Sequence, residues 1–318
     1  MKKMLALFVM APLCFDAMAE NTELDNALRL TYTSCIGIDD ALHDMKVLAG
    51  INTAVTGVGT GLGIGATAVG LAKAKLDETI EQKVEEIKSW AYDVEATKEV
   101  QSREDWFKKF KETDYVFTTT VAEDPSGGKT AEAQEVITLT QKSKRLGNWR
   151  TGLIAGNTAT NIAGAIIAGN NKVGQPLQEQ IDNCKASVKS LGIAIAQAKI
   201  NGDDVSEAQQ IESACKEFEY IDVTKINNRA KGSMISSIVG TGTGVAGTIT
   251  SAMANSNKIR DDDTDQGKQK EKNLNTAANV LSAGSAVASA TATVFNASQI
   301  KAIKDVAKVA QKCTEVLK

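Results

Sequence analysis

From Thr22 to Leu48 the apolar side chains Leu24, Leu28, Tyr32, Cys35, Ile38, Leu42, Met45 and Leu48 recur every three or four residues. That is the helical period. No proline interrupts the stretch, so the helix is predicted to run on into residues 50–72, an uncharged tract of Gly, Ala, Thr and aliphatic residues. Three further tracts of the same kind lie at 147–169, 232–255 and 273–296. Glycine costs a helix about 1 kcal/mol per residue against alanine, so tracts this rich in it need a packing reason. Gly57, Gly61 and Gly65 are spaced by four, as are Gly152 and Gly156 with Gly164 further along, and Gly240 with Gly244. Such rows put small residues on one helix face, where two backbones can approach closely. The expectation is that these eight glycines pack helix against helix.

The tracts come in related pairs. Gly59-Thr60-Gly61-Leu62-Gly63 resembles Gly242-Thr243-Gly244-Val245-Ala246, and Leu153-Ile154-Ala155-Gly156 resembles Leu281-Ser282-Ala283-Gly284. Cys35 and Cys215 are separated by nearly the first offset, Cys184 and Cys313 by nearly the second. The chain therefore reads as an internal duplication, each half running cysteine, apolar tract, polar middle, apolar tract, cysteine. If Cys35 lies level with Cys184 in an antiparallel hairpin, residues 50–72 fall opposite 147–169. If Cys215 lies level with Cys313, residues 232–255 fall opposite 273–296. The preferred disulfides are accordingly Cys35–Cys184 and Cys215–Cys313. The rival pairing, Cys184–Cys215 with Cys35–Cys313, stays open, because four cysteines allow three connectivities.

The polar middles differ. In the second half, residues 257–268 form a short acidic turn around Asp261, Asp262 and Asp263. The first half inserts an arm, residues 73–146, whose stripe of Leu76, Ile80, Val84, Ile87, Ala91 and Val94 predicts a coiled pair of helices. Within it Tyr115–Val121 is β-prone and Asp124–Gly128 is a turn. Pro176 suits an early helix position, Asn201–Asp204 a turn, and Ser206 a helix cap. The predicted fold is all-α: two long antiparallel helical hairpins packed as an elongated four-helix bundle with a projecting coiled-coil arm. Its parts are a signal peptide at 1–19, hairpin repeat 1 at 20–200 with the inserted arm, and hairpin repeat 2 at 201–318.

The signal peptide rests on Lys2 and Lys3, the apolar run Met4–Leu13 and the small-x-small site Ala17-Met18-Ala19. Cys14 would leave with it, and the bulky Leu13 before it argues against lipid attachment. The four remaining cysteines, in a chain addressed to an oxidising compartment, read as disulfides. The expected address is the periplasm, cell envelope or external medium. Aromatic residues make up only 4% of the chain, so the helices must pack through small side chains. The net charge is −3, which does not favour nucleic acid.

Candidate chemistry is thin. Tyr115 to Thr130 imitates the strand, loop and Gly-Lys-Thr order of a phosphate-binding loop, but Glu123 stands where the first glycine belongs. His43 is the sole histidine, expected on a solvent-facing helix position without zinc partners. The acidic runs Asp39-Asp40 and Asp261–Asp263 lack the spacing of a calcium loop. No catalytic residue, cofactor or metal site is expected, and the protein is read as no enzyme. Trp90, Trp106 and Trp149, in or beside the arm, are candidate contacts for a protein partner or another copy.

The tracts admit two readings. Each is about as long as the ~20 residues that span a bilayer, and in their small-residue rows they resemble the glycine-zipper segments of membrane and pore-associated proteins, a generic pattern. Against insertion stand Asn52, Asn157, Asn161 and Asn279 within the tracts, and the balanced charge of residues 258–272. The expected role is that of an exported, non-enzymatic structural or interaction protein stapled by disulfides. The alternative is a membrane-inserting, oligomerising protein built on the Gly-rich hairpins.

Overall fold

The structure is a computed structural model that describes residues 22–95, 128–260 and 264–318. The signal segment, the β-prone stretch, Trp106 and the Asp261–Asp263 run lie outside the described residues, as does the turn as far as Ser126 and Gly127. Those described are helical apart from the short connections, without a strand: α1 (Thr22–Cys35), α2 (Ile38–Glu95), α3 (Gly128–Asn170), α4 (Gln175–Asn201), α5 (Ser206–Cys215), a 3-10 turn (Lys216–Tyr220), α6 (Thr224–Ala254), the single turn α7 (Asn257–Arg260) and α8 (Asp265–Leu317). The all-α prediction holds. The expected continuous helix from Thr22 does not, because the chain breaks at Gly37, whose φ of 84° is a left-handed conformation that glycine adopts without steric cost.

The described residues form two compact units, and neither coincides with a repeat: each draws on both halves of the chain. The first comprises the chain up to Asp44, Val173–Thr224 and Ala302–Lys318. Its interior is conventionally apolar, with Ile38, Leu42, Ile181, Leu191, Phe218 and Ile303 fully or almost fully buried. Both preferred disulfides are present, Cys35–Cys184 with Cα atoms 4.8 Å apart and Cys215–Cys313 with 4.5 Å. Gln180 Nε2 donates to the Ile36 carbonyl at 2.8 Å, and Lys185 Nζ to the Ile221 carbonyl at 2.7 Å. Pro176 sits in the first turn of α4 as expected, and the helix ends on Gly202, at φ 84°, with the Gly202 and Asp203 amides closing onto Lys199 and Ala198 carbonyls. Ser206 is not the cap of α5. It is the first helical residue, and its amide donates to the Asp204 carboxylate at 3.0 Å.

The second unit comprises Met45–Lys172 and Lys225–Lys301. Here α2, α3, α6 and α8 form an up-down-up-down four-helix bundle. Asp77 on α2 accepts from Ser143 on α3, and Lys83 pairs with Glu135 at 2.8 Å, so the hairpin continues into the arm at the register expected from the cysteines. Gly63 meets Asn157, and Gly244 meets Ser285, the levels at which the two predicted hairpins place those residues. The positions that α2 buries are 45, 49, 52, 56, 59, 63, 66, 70 and 73, and those that α6 buries are 226, 230, 233, 237, 240, 244, 247, 251 and 254. Steps of four and three alternate in both. That is the heptad seam of helices wound in a left-handed coil.

Candidate functional site: a polar interior within an apolar belt

The heptad seam decides which glycines do the packing. A row spaced strictly by four drifts off a seam that advances by seven residues per two turns. Gly57, Gly61 and Gly152 have open space where a side chain would be, and a Cβ on Gly65 would touch only the tip of Leu153, at 3.7 Å. For Gly57, Gly61 and Gly152 the expected close packing is therefore corrected. Gly164 and Gly240 do lie at close approaches: a methyl group there would come within 2.8 Å of Thr56 Cγ2 and 2.7 Å of the Asn161 amide, respectively. Gly244 is closed off by Thr158, and Gly156 faces Leu62 at 3.2 Å. The reading by fours missed Gly59, Gly63, Gly70 and Gly147. At Gly63 a Cβ would lie 2.7 Å from Ala286 Cβ and 2.9 Å from its Cα, so nothing larger than hydrogen fits without moving a backbone.

Those close approaches bring small polar side chains to the bundle axis. At mid-height Asn157 Nδ2 donates to Ser285 Oγ at 2.9 Å, and Ser289 Oγ donates to Asn157 Oδ1 at 2.9 Å or Asn161 Oδ1 at 3.0 Å. Ser285 Oγ donates in turn to the Gly240 carbonyl at 2.8 Å. One layer further, Thr293 meets Thr56 at 2.9 Å, and Asn52 Nδ2 reaches Asn296 Oδ1 at 2.9 Å and Ser233 Oγ at 3.4 Å. In the other direction Thr67 and Ser282 pair at 3.3 Å. Next comes Arg150, 0% exposed, its guanidinium donating to Ser251 Oγ at 3.0 Å, Asn275 Oδ1 at 2.8 Å and Asn279 Oδ1 at 3.3 Å. Beyond it Lys73, also buried, pairs with Asp77 at 2.5 Å and Glu271 at 3.4 Å.

The outer surface is the inverse. Ile51, Val58, Ile64 and Leu71 on α2, Ile162 and Ile166 on α3, Ile235, Val239, Val245 and Ile249 on α6, and Val280, Val287 and Val294 on α8 all point outward; Ile64 is 60% exposed and Val287 66%. Every large exposed apolar side chain among the described residues belongs to this unit, except Leu30, Tyr32, Ile193, Ile200 and Tyr220. From Ile51 to Leu71 the belt is about 30 Å tall at 1.5 Å per residue. Two stretches, within Glu23–Ile87 and Gln266–Leu317, are apolar and long enough to cross a membrane, and only 28% and 39% of their most apolar windows are buried. A core helix of a water-soluble protein would be mostly buried.

The charges mark the ends of the belt. No charged residue falls between Lys46 and Lys73, Arg150 and Lys172, Lys231 and Lys258, or Lys272 and Lys301. All four helices of the bundle thus carry an uncharged stretch of at least the ~20 residues a bilayer requires, closed at both ends by a basic side chain. Trp149, 68% exposed, lies next to Arg150 at one rim. The helix that bears Trp90 is present, but the position of that side chain is outside what is described, and the two do not form a described cluster. His43 is exposed on α2, and among the described residues no three His, Cys, Asp or Glu side chains converge in a way that could hold a metal. Lys129 of the loop-like motif falls in the first turn of α3. Comparison of the chain with protein-family models, with curated proteins and with solved structures finds no match.

Proposed function

We propose that the protein is an exported, non-enzymatic protein in which residues 45–172 and 225–301 form a membrane-spanning four-helix bundle, while the disulfide-bearing unit folds in the oxidising compartment that export reaches. One observation carries this reading: on all four helices the side chains that turn inward are mainly small, Gly, Ala, Ser, Thr and Asn, and the large apolar ones that turn outward are Val, Ile and Leu. In water that arrangement gives up about 25 cal/mol for each Å² of apolar surface left outside. In lipid it costs nothing, and interhelical hydrogen bonds with close backbone packing are what hold membrane helices together. A single protein partner would cover one side of the bundle, whereas the apolar side chains lie on every helix. The flanking Lys and Arg side chains suit the two headgroup regions, and Trp149 suits an interfacial aromatic position. The arm, residues 73–146, remains available for a protein partner or a second copy.

The test is to produce residues 20–318 in an oxidising compartment and wash the membranes with carbonate. Retention in the pellet, with release only by detergent, supports the proposal. A chain that appears in the carbonate supernatant, monodisperse without detergent, overturns it and returns the protein to a soluble structural role.

A further inference from the structure

Buried polar atoms without a hydrogen-bond partner gather in one layer of the bundle. Of the seven such side-chain atoms among the described residues, three belong to two residues that touch: Asn171 Oδ1, Asn171 Nδ2 and Gln299 Oε1. Both residues belong to the second unit, just inside Lys172 and Lys301, and are 1% and 0% exposed. Gln299 is held in one orientation. Its Nε2 donates to the Asn171 carbonyl at 2.7 Å, and turning the amide over would set oxygen against oxygen. The backbone of Asn171 is committed as well, its amide donating to the Ile167 carbonyl at 2.9 Å and its own carbonyl accepting from Gln299. Exchanging the nitrogen and oxygen of the Asn171 side chain would leave two unpaired atoms as before. With Cys35 opposite Cys184 and Cys215 opposite Cys313, the buried residues of α2 and α6 level with this pair are Ala49 and Ala230. Each contributes only a methyl group, so no polar side chain from the other two helices completes the layer.

We propose that Asn171 and Gln299 form a binding site for internal water, with a molecule that accepts from Asn171 Nδ2 and donates to Gln299 Oε1, and with Asn171 Oδ1 as a further acceptor. Buried polar groups that no side chain satisfies are characteristically bonded to ordered water, because leaving them unmade forfeits their hydration. Water is the ligand whose chemistry matches, since the set holds a donor as well as acceptors. A metal cation would meet the Nδ2 protons, with Lys172 and Lys301 next along the chain to repel it. An anion would meet two carbonyl oxygens at the C-terminal end of α3, where the helix dipole disfavours negative charge. The site completes the contact between α3 and α8 at the level where their uncharged tracts end. It stands whether lipid or water surrounds the bundle, so its failure would leave the membrane-spanning reading untouched.

The experiment uses the mature chain with both disulfides intact, purified in detergent. Long-lived internal water is counted by oxygen-17 relaxation dispersion, and crystals of the same protein supply the electron density between the two amides. Asn171→Leu combined with Gln299→Leu replaces both polar partners by apolar groups, a change that cores tolerate better than the loss of one partner alone. We expect the double variant to keep the disulfides and the circular dichroism of the wild type while its dispersion amplitude falls by at least one water. Density in the wild type should lie within about 2.7–3.2 Å of Asn171 Nδ2 and Gln299 Oε1. An unchanged amplitude in a folded double variant overturns the site. If the double variant does not fold, the wild-type density decides: an Asn171 side chain bonded directly to a protein group, with no density between it and Gln299, overturns the proposal.

Discussion

Gly61 and Gly63 differ by two positions and by everything that matters to packing. Gly61 faces open space, so Gly61→Ala should stabilise the bundle by up to about 1 kcal/mol through helix propensity alone. Gly63 abuts the backbone of Ala286, so Gly63→Ala should destabilise it by about 1–3 kcal/mol through overpacking. Thermal unfolding of both variants in one detergent checks the pair, and equal effects would discredit the seam. Asn157 is the hub of the axial hydrogen bonds. Asn157→Ala should cost about 1–3 kcal/mol by leaving buried hydroxyls short of a partner, read in the same melts. The asparagines also show what the sequence alone hides. Asn52, Asn157 and Asn161 count against a membrane when a tract is scored as a whole, yet all three are buried at the axis, out of reach of whatever surrounds the bundle. Hydropathy averages both faces of a helix, and only a seam of period 3.5 separates them. A scan of buried-sized residues at alternating steps of four and three would have found Gly59, Gly63 and Gly70.

At the scale of elements, the hairpin registers were legible from the cysteines and the apolar tracts together, because with Cys35 opposite Cys184 and Cys215 opposite Cys313 an antiparallel course leaves no freedom of sliding. What was not legible was the break at Gly37. A lone glycine inside an apolar-periodic stretch looks like any other until its φ is known. The start of α5 carries a small pH dependence of its own. The backbone and side-chain hydrogen bonds from Ser206 hold the Asp204 carboxyl below the ordinary carboxylate range. A lowered folded-state value means that the contribution is present at neutral pH, above the unfolded value, and fades as pH falls through the folded one. The protection of the Ser206 amide, its exchange rate taken relative to the intrinsic rate at each pH, should therefore fall in acid, and Asp204→Ala should reproduce that loss at pH 7. Protection at Ser206 that does not respond to either change would remove Asp204 from the cap.

For the whole molecule, the membrane-spanning proposal has the two units answer to different solvents. The disulfide-bearing unit has an apolar core and two cross-links that span 149 and 98 residues of sequence. Each bridge should contribute about 2–4 kcal/mol, chiefly by restricting the unfolded chain. Cys215→Ser with Cys313→Ser should therefore lower the stability of that unit to denaturant while carbonate-resistant insertion of the bundle persists; loss of insertion would show that the bundle depends on the bridge. That two units exist was not visible in the sequence, since the repeat boundary near residue 200 is the conspicuous one and the spatial division cuts across both repeats.

The diagonal contacts of the bundle have a further consequence. Asn52 touches Ser233, Asn157 touches Ser285, and Gln299 donates to the Asn171 carbonyl at 2.7 Å. In each case the two residues occupy equivalent places in the two repeats. A position meeting its own counterpart across an axis, on helices that run parallel, is the geometry of a two-fold homodimer of one hairpin. On the duplication reading, the bundle corresponds to a dimer interface held inside a single chain. Arg150, which stands where the second repeat has Ala278, is then a side chain that a symmetric pair of hairpins would have to bury twice.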